Sequence, residues 1–138
     1  MKIATKDLTG PALDWAVAKA EGALAPLGNL HQVGQQLFIG VGGDLGEPGD
    51  WVVYQPSIDW SQGGPIIERE GINLWSPNGF SGVKFFKADG TPLWYAVNGT
   101  TSLAKRASGM DASPLIAAMR CYVAIKLGDE VDIPEELL

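Results

Sequence analysis

Reactive side chains are scarce in this chain. Its 138 residues hold one cysteine, Cys121, and one histidine, His31. A single cysteine excludes an intrachain disulfide, and one thiol with one imidazole is too few ligands for a zinc site of the Cys/His kind. No metal and no cofactor is therefore expected. Basic residues are also few: ten Lys and Arg stand against sixteen Asp and Glu, for a net charge of −6. Proteins grip nucleic acid chiefly through Lys and Arg on phosphates. The one adjacent basic pair is Lys105-Arg106, which argues against nucleic acid as a partner. The acidic surplus is mild, and solubility accounts for it. No apolar run approaches the roughly 20 residues of a membrane span, and MKIATKDLTG at the start lacks the apolar core of a signal peptide. The expected location is cytoplasmic, with no membrane partner.

What is present is the composition of an ordinary globular domain. Hydrophobic residues make up 46% and charged residues 19%, and a chain of this length folds as one domain around one core. We take residues 1–138 as that domain. Thr9-Gly10-Pro11 reads as a helix start, with a hydroxyl able to cap and a proline in the first turn. Leu13, Ala16, Val17 and Ala20 then recur at helical spacing until Gly22, so the first helix covers about residues 10 to 21. Between 22 and 50 only LFIGV (37–41) looks like a strand, and GGDLGEPGD (42–50) reads as an exposed loop. WVVY (51–54) and INLW (72–75) are further strand candidates. Two aromatic runs within 82–100 flank Asp89-Gly90, a pair suited to a hairpin turn. Residues 101 to 112, small and polar, read as a loop. At the end, Ser113 caps and Pro114 opens LIAAMRCYVAIKL (115–127), an almost wholly apolar helix stopped by Gly128. Ile133, Leu137 and Leu138 are expected to pack back from an acidic tail. Segregated elements of this kind make an α+β fold, with helices on a small antiparallel or mixed sheet.

The most unusual stretch is DWSQGGPIIEREG (59–71). In one reading Ser57 or Asp59 caps a helix that runs to Glu70 and contains Gly63, Gly64 and Pro65; the glycines then serve close packing. In the other the helix starts at Pro65, and the glycine N–H groups are free to meet an anion. Packing is the first choice. Glu68 and Glu70 are two residues apart, so on a helix they diverge and cannot share a substrate. GVGGDLG (40–46) fails the dinucleotide fingerprint, because Leu45 stands where a glycine is required. Cys121, in the middle of an apolar helix and ninety residues from His31, reads as an inert small hydrophobe rather than a nucleophile. Arg120 on the same helix must find a partner, an acidic residue such as Glu68 or Asp59 or else an anionic ligand. The five tryptophans are read mainly as core, Trp15 and Trp60 facing the sheet, with an exposed pair able to anchor a protein partner.

Three blocks together carry a resemblance: LTGPALDWAVAKAEG (8–22), YQPSIDWSQGGPIIEREGI (54–72) and SPLIAAMRCYVAIKLGDEVDIPEELL (113–138). They are similar to the NinX family of small bacteriophage proteins, a domain of unknown function, and more distantly to small phage proteins with an α-β-α sandwich. Residues 76–112 and the 42–50 loop fall outside these blocks. The resemblance implies a phage origin and an accessory role in the bacterial cytoplasm, and it carries over no catalytic residue.

Two functional expectations follow. The first is a non-enzymatic binding module that docks on a host or phage protein through a Trp-rich or Arg-bearing surface, with a homo-oligomer as a side expectation. The second is binding or hydrolysis of a small anionic, nucleotide-like ligand. The residues singled out for binding are Asp59, Trp60, Gly63, Gly64, Glu68, Arg69 and Arg120. No catalytic residue is assigned.

Overall fold

The computed structural model describes residues 1–23, 29–41, 50–78, 86–98 and 107–138. In chain order these form β1 (Lys2–Ala4), α1 (Gly10–Ala20), β2 (Leu30–Val33), β3 (Gln36–Val41), β4 (Asp50–Val53), α2 (Trp60–Glu70), β5 (Ile72–Trp75), β6 (Trp94–Asn98), β7 (Ser108–Asp111), α3 (Pro114–Leu127) and β8 (Glu130–Asp132), with short 3-10 turns at Thr5–Asp7 and Glu135–Leu137. The α+β class holds. The strands, expected in one small sheet, are divided among three, all antiparallel: β1-β8, β2-β3-β4 and β5-β6-β7. α3 packs against β5, β6 and β7 and touches α1, α2 and β8, while α1 leans on β3.

The apolar content of α3 explains its central place. From Leu115 to Val123 every side chain except the half-buried Ile116 is buried, Arg120 included. The Ser113 hydroxyl accepts from the Ile116 N–H at 3.3 Å, and Pro114 occupies the first position, as the sequence indicates. α1 buries Ala12, Leu13, Ala16 and Val17. Its start differs from expectation: the Thr9 side chain makes no capping bond. Gly10, at φ +56°, turns the chain into the helix instead, a conformation that favours glycine.

α2 settles the choice left open over residues 59–71. The Asp59 carboxylate accepts from the Ser61 N–H at 2.9 Å, and the helix runs through Gly63, Gly64 and Pro65 to a left-handed Gly71. A Cβ at Gly63 would stand 2.5 Å from the Pro56 carbonyl oxygen and 2.6 Å from Leu115 Cδ1. Gly63 is thus the contact point between α2, the chain entering it and α3, which is the packing reading.

Five expectations need correction. Residues 108–111 are strand, not loop; residues 101–106 lie outside the described residues. A Cβ at Gly109 would lie 2.1 Å from the Ala117 carbonyl oxygen and 2.7 Å from the Cys121 nitrogen, so β7 needs glycine where it crosses α3, and small residues there mark contact rather than looseness. β2 was not anticipated either, because Leu-His-Gln-Val has little strand propensity; Gly34 at φ +62° makes the turn that pairs it with β3. The Asp89-Gly90 turn forms, with the Gly90 N–H donating to the Lys87 carbonyl at 2.9 Å and a single bridge between Phe86 and Pro92. Yet the second arm, β6, pairs with β5 and β7; the first arm at 82–85 lies outside the described residues. Of the tail, Ile133 and Leu137 pack back, whereas Leu138 is 49% exposed. Trp60, expected to face a sheet, is 53% exposed at the start of α2, and only Trp15, Trp75 and Trp94 are half-buried.

Candidate functional site

Both arginines of interest are already engaged. Arg120 donates from Nε to the Leu8 carbonyl at 2.8 Å, and from one terminal nitrogen to the Met110 carbonyl at 2.7 Å and to Asp111 at 3.0 Å. It does find an acidic partner, but that partner is Asp111 on β7, not Glu68 or Asp59. β7 runs along α3 and places Asp111 within reach, a pairing invisible while 101–112 was read as loop. Arg69 makes a two-pronged contact with Glu21 at 3.1 and 2.8 Å and a further bond to Glu70 at 3.1 Å. Tyr122 donates to the same Glu21 carboxylate at 2.8 Å, and Lys126 pairs with Glu70 at 3.1 Å. The Glu21 and Glu70 hydrogen bonds hold the Arg69 guanidinium above its ordinary pKa, and Lys126, then Arg69, hold the Glu70 carboxyl below its own. This network ties the ends of α1, α2 and α3 at the surface.

The residues singled out from the sequence therefore do not converge. Asp59 is occupied in capping α2, Gly63 in packing; Gly64 has open space where its Cβ would be, and Glu68 is exposed. Arg69 and Arg120 share no partner. Three surface concavities are bounded by described residues, and neither arginine lines any of the three.

Two features escaped the sequence reading. The first is Asp14, the only acidic residue of α1, which is 4% exposed. It accepts from the Ser57 N–H at 2.8 Å. The Ser57 hydroxyl, fully buried, lies beside the same carboxylate and makes no well-formed hydrogen bond among the described residues. Desolvation pushes the Asp14 pKa up to about 6, opposed by the two Ser57 groups. Burial, with the nearby Glu21 and Asp14 charges, likewise raises the Tyr54 phenol. The signal was present: a lone carboxylate on the apolar stripe of an eleven-residue helix.

The second feature is the outward face of β2-β3-β4. Residues paired across an antiparallel sheet share a face, and alternate residues along a strand do too. Leu30, Leu37 and Ile39 point to the core. The opposite face collects His31, Val33, Phe38, Trp51 and Val53 through the pairs His31–Phe38, Phe38–Val53 and Gly40–Trp51. Trp51 is 51% and Val33 59% exposed. The His31 and Trp51 rings meet with centroids 5.5 Å apart at 50°, so the imidazole backs an indole and is not placed against the thiol of Cys121. That thiol is buried in α3 and pushed up to about 12 by desolvation. Among the described residues no helix is long and apolar enough to cross a membrane, and no group of three or more His, Cys, Asp or Glu is placed to hold a metal ion.

Fold and side chains together define a small α+β protein whose Arg69 and Arg120 are held in ion pairs and which carries an apolar sheet face. Compared with known families, residues 4–126 match the model described as Bacteriophage P22, NinX. The chain belongs to this NinX family, whose function is unknown. The match runs through residues 42–50 and 76–112, which the three sequence blocks had left outside. No curated protein is matched by the chain.

Proposed function

We propose that the protein is a non-enzymatic binding module that acts on a host or phage protein in the infected cell's cytoplasm, docking through the outward face of β2-β3-β4. The observation that carries this reading is the exposure of Trp51 and Val33 beside half-buried Phe38 and Val53 on one sheet face. Contiguous apolar surface of this kind is expensive to leave in water and is characteristic of docking sites, where a central tryptophan commonly dominates the affinity. The sequence left the exposed tryptophans unnamed; they are Trp51 and Trp60, and Trp51 is the one set on the sheet face.

The small anionic-ligand alternative has less behind it. A ligand at Arg69 would compete with Glu21 and Glu70, one at Arg120 with Asp111 and two carbonyls. A homo-oligomer built on the last helix has less behind it, since most of α3 packs in the core; a second copy is one occupant of the sheet face.

The test is affinity capture from phage-infected cells with the tagged wild type and with Trp51→Ser/Val33→Ser, followed by purification of the retained partner. The proposal expects a stoichiometric partner that the double variant loses while its melting temperature holds. Retention of the same partner by the variant refutes this face as the site. Light scattering separates self-association from a foreign partner.

A further inference from the structure

The connection from β4 to α2 folds back over α1 and leaves a concavity of about 120 Å³, lined in part by Asp14, Gln36, Leu37, Tyr54 and Ser57. Its lining includes no Lys, Arg or His. Asp14 and Ser57 sit at its base, 4% and 0% exposed. Buried carboxylates are ordinarily neutralised by a cation or by several donors. Asp14 accepts one well-formed hydrogen bond, from a backbone N–H to Oδ1, and the buried Ser57 hydroxyl beside the carboxylate has no well-formed hydrogen bond among the described residues. A carboxylate and a hydroxyl with unused acceptor capacity, lined by Leu37 and Tyr54, form a built site with no cation in its lining.

We propose that this concavity binds a primary alkylammonium group, with Asp14 as its counter-ion, the Ser57 hydroxyl as a second acceptor, and Leu37 and Tyr54 against the alkyl stem. The size agrees. A water molecule takes up about 30 Å³ of liquid, so the space holds an ammonium head with a few methylenes. The charge agrees too: a carboxylate here attracts a cation and repels a phosphate. An ammonium group has three donors, which Asp14, Ser57 and a side-chain carbonyl such as that of Gln36 can receive. Two sources carry this chemistry, a free small amine and the lysine side chain of a protein. The site does not depend on the sheet face.

Amide NMR titration of the whole chain tests the proposal. The probes are n-butylammonium, its neutral counterpart n-butanol, and a short peptide with one lysine, each to about 50 mM, the range in which a single ion pair with modest burial is measurable. The Ser57 and Ile58 amides are expected to shift with n-butylammonium and not with n-butanol. Asp14→Asn keeps an acceptor for the Ser57 N–H but not the charge, and is expected to weaken binding about tenfold or more. Shifts with the free amine alone assign the site to a small amine; shifts with the peptide as well assign it to a lysine side chain. Equal response to n-butanol, undiminished binding by Asp14→Asn, or no response to either ammonium probe overturns the proposal. Trp51→Ser is expected to leave the titration unchanged, which separates this result from the fate of the docking face.

Discussion

Replacing Gly63 with alanine tests the reading of α2 directly, because Gly64 next to it supplies an internal control. On helix propensity alone, either Gly→Ala change within a helix gains about 1 kcal/mol. At Gly64 nothing lies within 4 Å of the new methyl group, so Gly64→Ala should stabilise by about 0.5–1 kcal/mol. At Gly63 the methyl group would sit 2.5 Å from the Pro56 carbonyl oxygen and 2.6 Å from Leu115 Cδ1. The leucine can turn aside, but Pro56 is fully buried, so α2 or the 54–58 connection must move. Overpacking of this kind costs about 3 kcal/mol. Less the propensity gain, Gly63→Ala should lose about 2 kcal/mol, which for a domain of this size lowers the melting temperature by roughly 7 °C. Urea denaturation followed by tryptophan fluorescence measures both variants. If Gly63→Ala stabilised the protein as Gly64→Ala does, the glycine would not be a packing contact, and the account of this helix would fail.

Arg120→Met takes the ion-pair partner away from Asp111 and leaves the Leu8 and Met110 carbonyls without their donor; a loss of about 3–5 kcal/mol in urea denaturation is expected, and a loss below about 1 kcal/mol would show the ion pair to be dispensable. For Asp14 the sign runs against the usual acid lability. Its folded pKa, about 6, lies above the ordinary 3.8, so the folded state binds more protons between these values, and stability from this group falls as pH rises through them. Asp14→Asn should therefore be more stable than wild type at pH 8, by about 2–3 kcal/mol, and nearly equal to it at pH 3; a constant difference across this range would contradict the burial argument. Cys121, buried and with its thiol pushed up to about 12, should react with iodoacetamide only on unfolding, so that alkylation timed by mass spectrometry tracks denaturant; rapid labelling of the native protein would place the thiol at the surface.

The parts of the fold legible in the sequence were those governed by local chemistry. Ser113-Pro114 and Gly128 bracket α3 because capping and φ restriction act within a turn; for α2, Asp59 was one of two candidate caps and the start at Pro65 stayed open. Strand partners depend on residues far apart, and there the sequence misled: Asp89-Gly90 marks a real turn, but the arm that follows it finds its neighbours in β5 and β7. Gly109 shows the same limit from the other side. Its small size was visible, yet only the crossing with α3 explains it. As for the site, an arginine on an apolar helix correctly implied an ion pair, but its partner lies on a strand that propensity does not reveal. The sheet face was hidden because β2, which supplies His31 and Val33, has no strand signature of its own.

Docking of a partner on the outward face of β2-β3-β4 is the action we propose for the protein. The most direct measurement is the dissociation constant of the captured partner for wild type and for Trp51→Ser, by calorimetry on purified proteins. Loss of a central tryptophan should weaken binding by about 2 kcal/mol or more, roughly thirtyfold. Equal affinity for the two proteins, with the fold intact in both, would contradict the claim.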